Sequence, residues 1–278
     1  MSPKLTLVAC VMVVIAAGCA GVGVEPDPDT TAGSTLLSPL ESTTTVPPAD
    51  EAWLVVAIGD STPAGFGVGA ASAYPQAYAD LLAEDFGIEV EVANHATGQT
   101  RTVRDWVEII ETDEHLIADL AEARVVLIWM GWHDIIPIVY LRTAASWPDP
   151  IRGELIEKNA DLSDAWPRLI TAVREAVPSG ATILVADTGL PSPIVEEFGD
   201  EAFWPELKRL VFLDWRDVLI GAAGDGDAIV VPTWEAGSGP DGETDLHPEF
   251  GSDDGLHLNE AGQRFLAQLH RDHDRLSP

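Results

Sequence analysis

Twice in this chain a run of apolar residues ends at a glycine and hands over at once to polar side chains. Trp53-Leu54-Val55-Val56-Ala57-Ile58 runs into Gly59-Asp60-Ser61-Thr62-Pro63-Ala64-Gly65, and Arg124-Val125-Val126-Leu127-Ile128-Trp129-Met130 runs into Gly131-Trp132-His133-Asp134. Unbroken β-branched runs of this kind suit strands covered on both faces, as in a parallel sheet flanked by helices. In open parallel sheets, ligands bind just beyond the carboxyl ends of the strands. Both polar turns therefore belong at that edge, and a serine stands in the first of them.

The rest of the chain alternates in the same sense. Tyr74, Ala77, Tyr78, Leu81 and Leu82 fall at helical spacing over 74–86, with Gly87 as a stop, and 88–93 alternates as a strand. Short helices are expected around Val103, Val107 and Ile110 and over 115–123; longer ones over 154–177, 203–220 and 259–270. Rim loops or short helices are expected at 137–150, strands at 181–187 and 228–232, and a Gly- and Asp-rich loop from the end of that last strand to Gly255. Alternation of β and α predicts right-handed crossovers and a parallel sheet with helices on both faces. The expected fold class is α/β, a flavodoxin-like three-layer α/β/α sandwich around a central parallel sheet of about five strands.

Residues 1–18 carry one lysine, the apolar run Leu5 to Ala17 and a small-residue end, the pattern of a secretion signal. Ala16-Ala17-Gly18-Cys19 resembles a bacterial lipobox, which implies cleavage before Cys19, lipidation of that residue and anchoring at the outer face of the cell membrane. The run is too short to favour a spanning helix. Residues 19–51 are rich in Pro, Thr, Ser and acid, lack Lys and Arg, and read as a disordered tether; 52–278 is the folded domain. Cys10 and Cys19 are the only cysteines, so no thiol pair survives processing and stability rests on the core. With 46 acidic against 15 basic residues and a formal charge of -31, the chain is unsuited to nucleic acid or polyanionic substrates.

A serine hydroxyl attacks only when a base takes its proton, so Ser61 requires a histidine and usually a carboxylate. Asp253-Asp254-Gly255-Leu256-His257 offers both. Four short blocks, in order from Gly59 to His257, resemble those of the SGNH (GDSL-like) hydrolases: Gly59-Asp60-Ser61-x-x-x-Gly65, Asn94-His95-Ala96-Thr97-Gly98, Gly131-Trp132-His133-Asp134 and Asp254-x-x-His257. The resemblance implies Ser61 as nucleophile, His257 as base, Asp254 as the group that orients it, and an oxyanion hole from the backbone N–H groups of Ser61 and Gly98 with the side chain at 133. Histidine stands where that family usually has asparagine. A neutral imidazole also carries an N–H, and a structural His133 bonded to Asp134 is the plainer alternative. Asp60 reads as a turn residue bonding local amides, and Asp134 as support for its block.

No cofactor or metal is expected. Asp245, His247, Asp253, Asp254 and His257 cluster in sequence, but their spacing matches no zinc signature. The nine tryptophans are numerous enough to include a substrate platform as well as core. The leading expectation is a surface-anchored serine esterase acting on an O-acyl or O-acetyl ester of a small molecule, glycan or lipid. Two other readings use the same residues: an SGNH-like binding lipoprotein without turnover, and an acyltransferase to a glycan hydroxyl.

Overall fold

The structure is a computed structural model that describes residues 52–139, 149–187, 202–239, 249–252 and 257–278. These lie in the second of two units, Pro47–Pro278; the first, Met1–Val46, with the expected signal, Cys19 and most of the tether, falls outside the described residues.

Strands β1 (Trp53–Gly59), β2 (Val90–Asn94), β3 (Val125–Trp129), β4 (Thr182–Ala186) and β5 (Ile229–Val231) form one parallel sheet in the order β2-β1-β3-β4-β5. The order reverses direction between β1 and β3, and a crevice for ligands opens outside the carboxyl ends of the strands at such a switch point. The register pairs Gly59 with Trp129, so the two glycine turns leave the sheet side by side.

Alternate strand residues face opposite layers. Val55, Ala57, Val125, Leu127 and Leu184 pack with Tyr74, Tyr78 and Leu82 of α1 (Tyr74–Phe86) and Leu266 and Ala267 of α9 (Glu260–His273). Val56, Ile58, Val126, Ile128 and Val185 face the other way, onto α2 (Val103–Thr112), α3 (Glu114–Glu122), α5 (Asp149–Ala176) and α7 (Asp214–Asp225). The α1 limits follow from its pattern: Tyr74, Tyr78 and Leu82 make one buried stripe, and Gly87 ends the helix at φ 65°, its N–H bonding Ala83 O.

The helical content exceeds what the sequence pattern indicates in three places. Residues 132–139 form α4 (Trp132–Val139) with Pro137 inside it, so the third block is the first turn of a helix. The helix expected from 154 begins at Asp149. Thr233–Ser238, expected as loop, is the short helix α8. Its amino end is met from across the fold: Asp187, just after β4, accepts from Trp234 N–H at 2.8 Å and Thr233 Oγ1 at 2.9 Å while pairing with Arg216. A cap supplied by a residue so distant in sequence leaves no local signature. Between α6 (Trp204–Lys208) and α7, Arg209–Leu213 makes a π-turn. Among the described residues no helix is long and apolar enough to cross a membrane.

Candidate active site

The first turn depends on Gly59. Its φ is 143°, and a Cβ there would lie 1.9 Å from the Trp129 carbonyl oxygen, so only glycine lets β1 end this close to β3. Asp60 N–H donates to that carbonyl at 3.0 Å, and Phe66 N–H closes the turn on Ser61 O at 2.9 Å. Two side chains brace it from outside. Asn94, at the end of β2, donates to Pro63 O at 2.7 Å while its own oxygen accepts from Ala96 N–H at 3.1 Å. Gln263, buried on α9, donates to Thr62 O at 3.3 Å and accepts from Tyr74 N–H at 2.8 Å.

The histidine loop is folded back by the cap of α9. Asn259 Oδ1 accepts from the amides of Ala261 and Gly262, at 2.9 and 3.0 Å, and its Nδ2 donates to the carbonyls of Glu249 and Gly251. One residue thus starts the helix and ties down the strand-like return, where Ser252 N–H donates to His257 O at 2.9 Å. The result is His257 Nε2 3.0 Å from Ser61 Oγ. With the hydroxyl donating, Nε2 is bare and the imidazole proton sits on Nδ1. Asp254 lies outside the described residues, as do Asp245, His247 and Asp253. Among the described residues no group of His, Cys, Asp and Glu is placed to hold a metal ion.

His133 shares the cavity with Ser61 and His257. Its Nδ1 accepts the Arg101 amide N–H at 3.3 Å, and it bonds this amide rather than Asp134. An amide N–H can only donate, so Nδ1 is unprotonated and the ring's proton is on Nε2. Burial holds its pKa below the usual histidine value, and the charge of nearby His257 pushes the same way. The side chain at 133 is therefore a neutral N–H donor. Asp134 accepts Val103 N–H at 2.9 Å and lies 3.7 Å from Lys158 Nζ; burial still pushes it up to about 6. Asp60 accepts Thr62 N–H at 3.3 Å, and burial pushes it up to about 7 despite the pull of the Thr62 and Trp132 amides.

Trp129, Trp132 and Ile136 wall the cavity, a cleft of about 430 Å³ with its open mouth included. Trp132, like Ile136, is half-buried in this wall, whereas most of the other described tryptophans are core. Gly98 does not line the cavity but abuts Phe66, whose ring covers His257. Sequence reasoning brought Ser61, His133 and His257 to this edge but missed Gln263 and the Arg101 amide. Gln263 had a signal: it sits on the same helical face as Leu266, Ala267 and His270, where a polar residue needs a buried partner. The Arg101 contact is a backbone group and has none.

No curated protein matches the chain. Among solved structures it is similar to a lipase from a goat rumen metagenome, with 15% identity over 79% of this chain and 96% of that one and a TM-score of 0.64. An acetyl xylan esterase variant from Geobacillus stearothermophilus gives 20% identity over 81% and 96%, with a TM-score of 0.57. A lipase/acylhydrolase from Enterococcus faecalis gives 18% over 79% and 94%, with a TM-score of 0.51. At these identities the likeness is one of fold. The model of the GDSL-like lipase/acylhydrolase family matches residues 57–265, from inside β1 to within α9, and the chain belongs to that family of ester-hydrolysing enzymes.

Proposed function

We propose that this chain is an exported serine esterase, held at the outer face of a bacterial cell membrane by lipid on Cys19, that hydrolyses short O-acyl esters such as O-acetyl groups. The observation that carries the reading is the 3.0 Å contact between Ser61 Oγ and His257 Nε2, in a cavity that also holds the neutral His133 N–H donor. Ser61 attacks the acyl carbon as His257 takes its proton, and Asp254 holds the imidazole by its other nitrogen. The tetrahedral oxyanion is stabilised by the amides of Ser61 and Gly98 and by Nε2–H of His133. His257 returns the proton to the leaving alcohol, and water resolves the acyl-enzyme by the same route in reverse. The cavity beside Ser61 is walled by the bulky side chains of Trp129, Trp132 and Ile136, which supports a short acyl chain.

The test is a series of p-nitrophenyl esters from acetate to palmitate, with Ser61→Ala as control. Highest kcat/KM on acetate or butyrate, abolished in the control, is the expected result. Turnover that survives in Ser61→Ala, or none in the wild type, would sink the proposal. The anchor rests on Ala16-Ala17-Gly18-Cys19, and mass spectrometry of the native protein should find the mature chain starting at a lipidated Cys19. An unmodified Cys19 there would remove that part.

A further inference from the structure

Phe66 is one of three large apolar side chains that stand exposed among the described residues, with 53% of its surface open. The other two, Ile117 and Ile156, sit on α3 and α5; Phe66 sits over the site. Its ring centroid lies 4.8 Å from that of His257, with 34° between the planes. Its edge lies so close to Gly98 that a Cβ there would come within 2.9 Å of Phe66 Cε2. The ring thus touches His257 and Gly98, and about half of the side chain stays open to water.

The segment that presents the ring is built for it. In Gly65-Phe66-Gly67-Val68-Gly69 all three glycines have positive φ, at 77°, 87° and 87°, a conformation other side chains adopt only under strain. The bend is held: Gly69 N–H donates to Gly65 O at 2.7 Å, and Val68 N–H donates to the same oxygen at 3.1 Å. The strap thus holds a large flat apolar side chain, half open to water, at a fixed place beside the imidazole of His257.

We propose that the open face of Phe66 is the platform for the alcohol portion of the substrate, and that this portion is a neutral pyranose ring. The proposal rests on the serine-esterase reading above. His257 delivers its proton to the leaving oxygen, so that oxygen stands beside the imidazole, and the group it belongs to extends past the ring that roofs the imidazole. The acyl group takes the cavity that Trp132 and Ile136 line with Ser61, and Phe66 stands outside that lining. A single flat face suits the C–H face of a sugar ring, because aromatic side chains offer a large rigid contact at little entropic cost. A quaternary ammonium is recognised by an aromatic cage, and one open ring is not a cage. Anionic sugars are disfavoured by the formal charge of -31.

The experiment compares three acetate esters: a mono-O-acetyl methyl glucopyranoside, ethyl acetate and acetylcholine. Each is measured with wild type, Phe66→Ala, Phe66→Leu and Phe66→Trp. Both Phe66→Ala and Phe66→Leu should raise KM for the glycoside about 10-fold, while the ethyl acetate KM changes at least 5-fold less; stacking of this kind is worth about 1 kcal/mol or a little more. Phe66→Leu keeps bulk over His257 and Gly98, so a selective loss in that variant isolates the flat face, and Phe66→Trp should hold or lower the glycoside KM. Equal losses on glycoside and ethyl acetate, appearing in kcat, would overturn the proposal and make Phe66 a packing residue for His257. A loss confined to acetylcholine would also overturn it, in favour of a cationic alcohol. If the wild type turns over none of the three, the esterase reading falls first and takes the platform with it.

Discussion

The two turns at the ends of β1 and β3 share one design and differ in how they are held. Each begins with a positive-φ glycine, at 143° for Gly59 and 119° for Gly131, and each carries a buried aspartate and a side chain that reaches the same cavity. The Ser61 turn stays a turn, closed by its own amides and braced by the neutral side chains of Asn94 and Gln263. The His133 turn winds directly into α4, and its aspartate has the Val103 amide and Lys158 beside it. A nucleophile needs an exposed oxygen at a fixed distance from a base that arrives from another part of the chain. An N–H donor needs only a fixed tautomer, which one amide from Arg101 provides.

The largest expected difference is catalytic. Ser61→Ala should reduce kcat by roughly 10⁴ or more, since it removes the bond-forming atom. His133→Ala should cost about 10²–10³ in kcat with little change in KM, as for one oxyanion donor, and His133→Asn should retain or raise the rate. Stopped-flow acylation with p-nitrophenyl acetate separates the two. Full activity in both His133 variants would reduce the second turn to scaffolding.

The glycines come next. Gly59→Ala drives a methyl group to 1.9 Å from a backbone carbonyl of the neighbouring strand, which can yield only if the sheet does. Its cost should be on the order of 5 kcal/mol, enough to prevent recovery of folded protein. At Gly131 the obstacle is the Trp215 ring at 3.1 Å, a side chain, so Gly131→Ala should cost about 2–3 kcal/mol and still fold. Urea unfolding of both variants measures this, and equal costs would mean that the two turns are strained alike.

What was legible in the sequence follows the same physical divide. Uninterrupted apolar runs and the Tyr74, Tyr78, Leu82 stripe reveal their elements because burial acts on every residue of the pattern. Pro137 reads as a breaker, yet it sits inside α4, where it removes one backbone bond, the one an N–H at that position would give to His133 O. The start of α8 is hidden because its cap, Asp187, comes from another strand. In the site, Ser61 and His257 are legible because their chemistry demands those residue types. The tautomer of His133 is not, because a main-chain amide fixes it.

The buried aspartates give a smaller, pH-dependent contrast. Asp60 sits at about 7 in the fold against an ordinary 3.8, so the folded state holds a proton that the unfolded chain releases. That contribution is complete below about pH 4 and is lost as pH rises through 7, a change of about 4 kcal/mol for three units. Asp134, at about 6, loses its smaller contribution between about pH 4 and pH 6. Asp60→Asn keeps the shape without the titration, so its unfolding midpoint should fall less than the wild type's from pH 4 to 7. Parallel curves would show that Asp60 is already ionised across that range.

The finest distinction is the brace that the first turn has and the second lacks. Gln263 ties Thr62, next to the nucleophile, to α9, the helix whose amino end follows His257 by three residues, and it also receives the first amide of α1. Gln263→Leu leaves Tyr74 N–H buried without an acceptor and frees Thr62 O, for a loss of about 1–3 kcal/mol. If the brace also sets the Ser61 to His257 spacing, kcat should fall about 10-fold at unchanged KM, because a loosened base is felt in proton transfer rather than in substrate binding. A variant that melts earlier with kcat intact would make Gln263 a clamp between α1 and α9 alone, and the Ser61 turn would then owe its geometry to Gly59, Asn94 and its own amides.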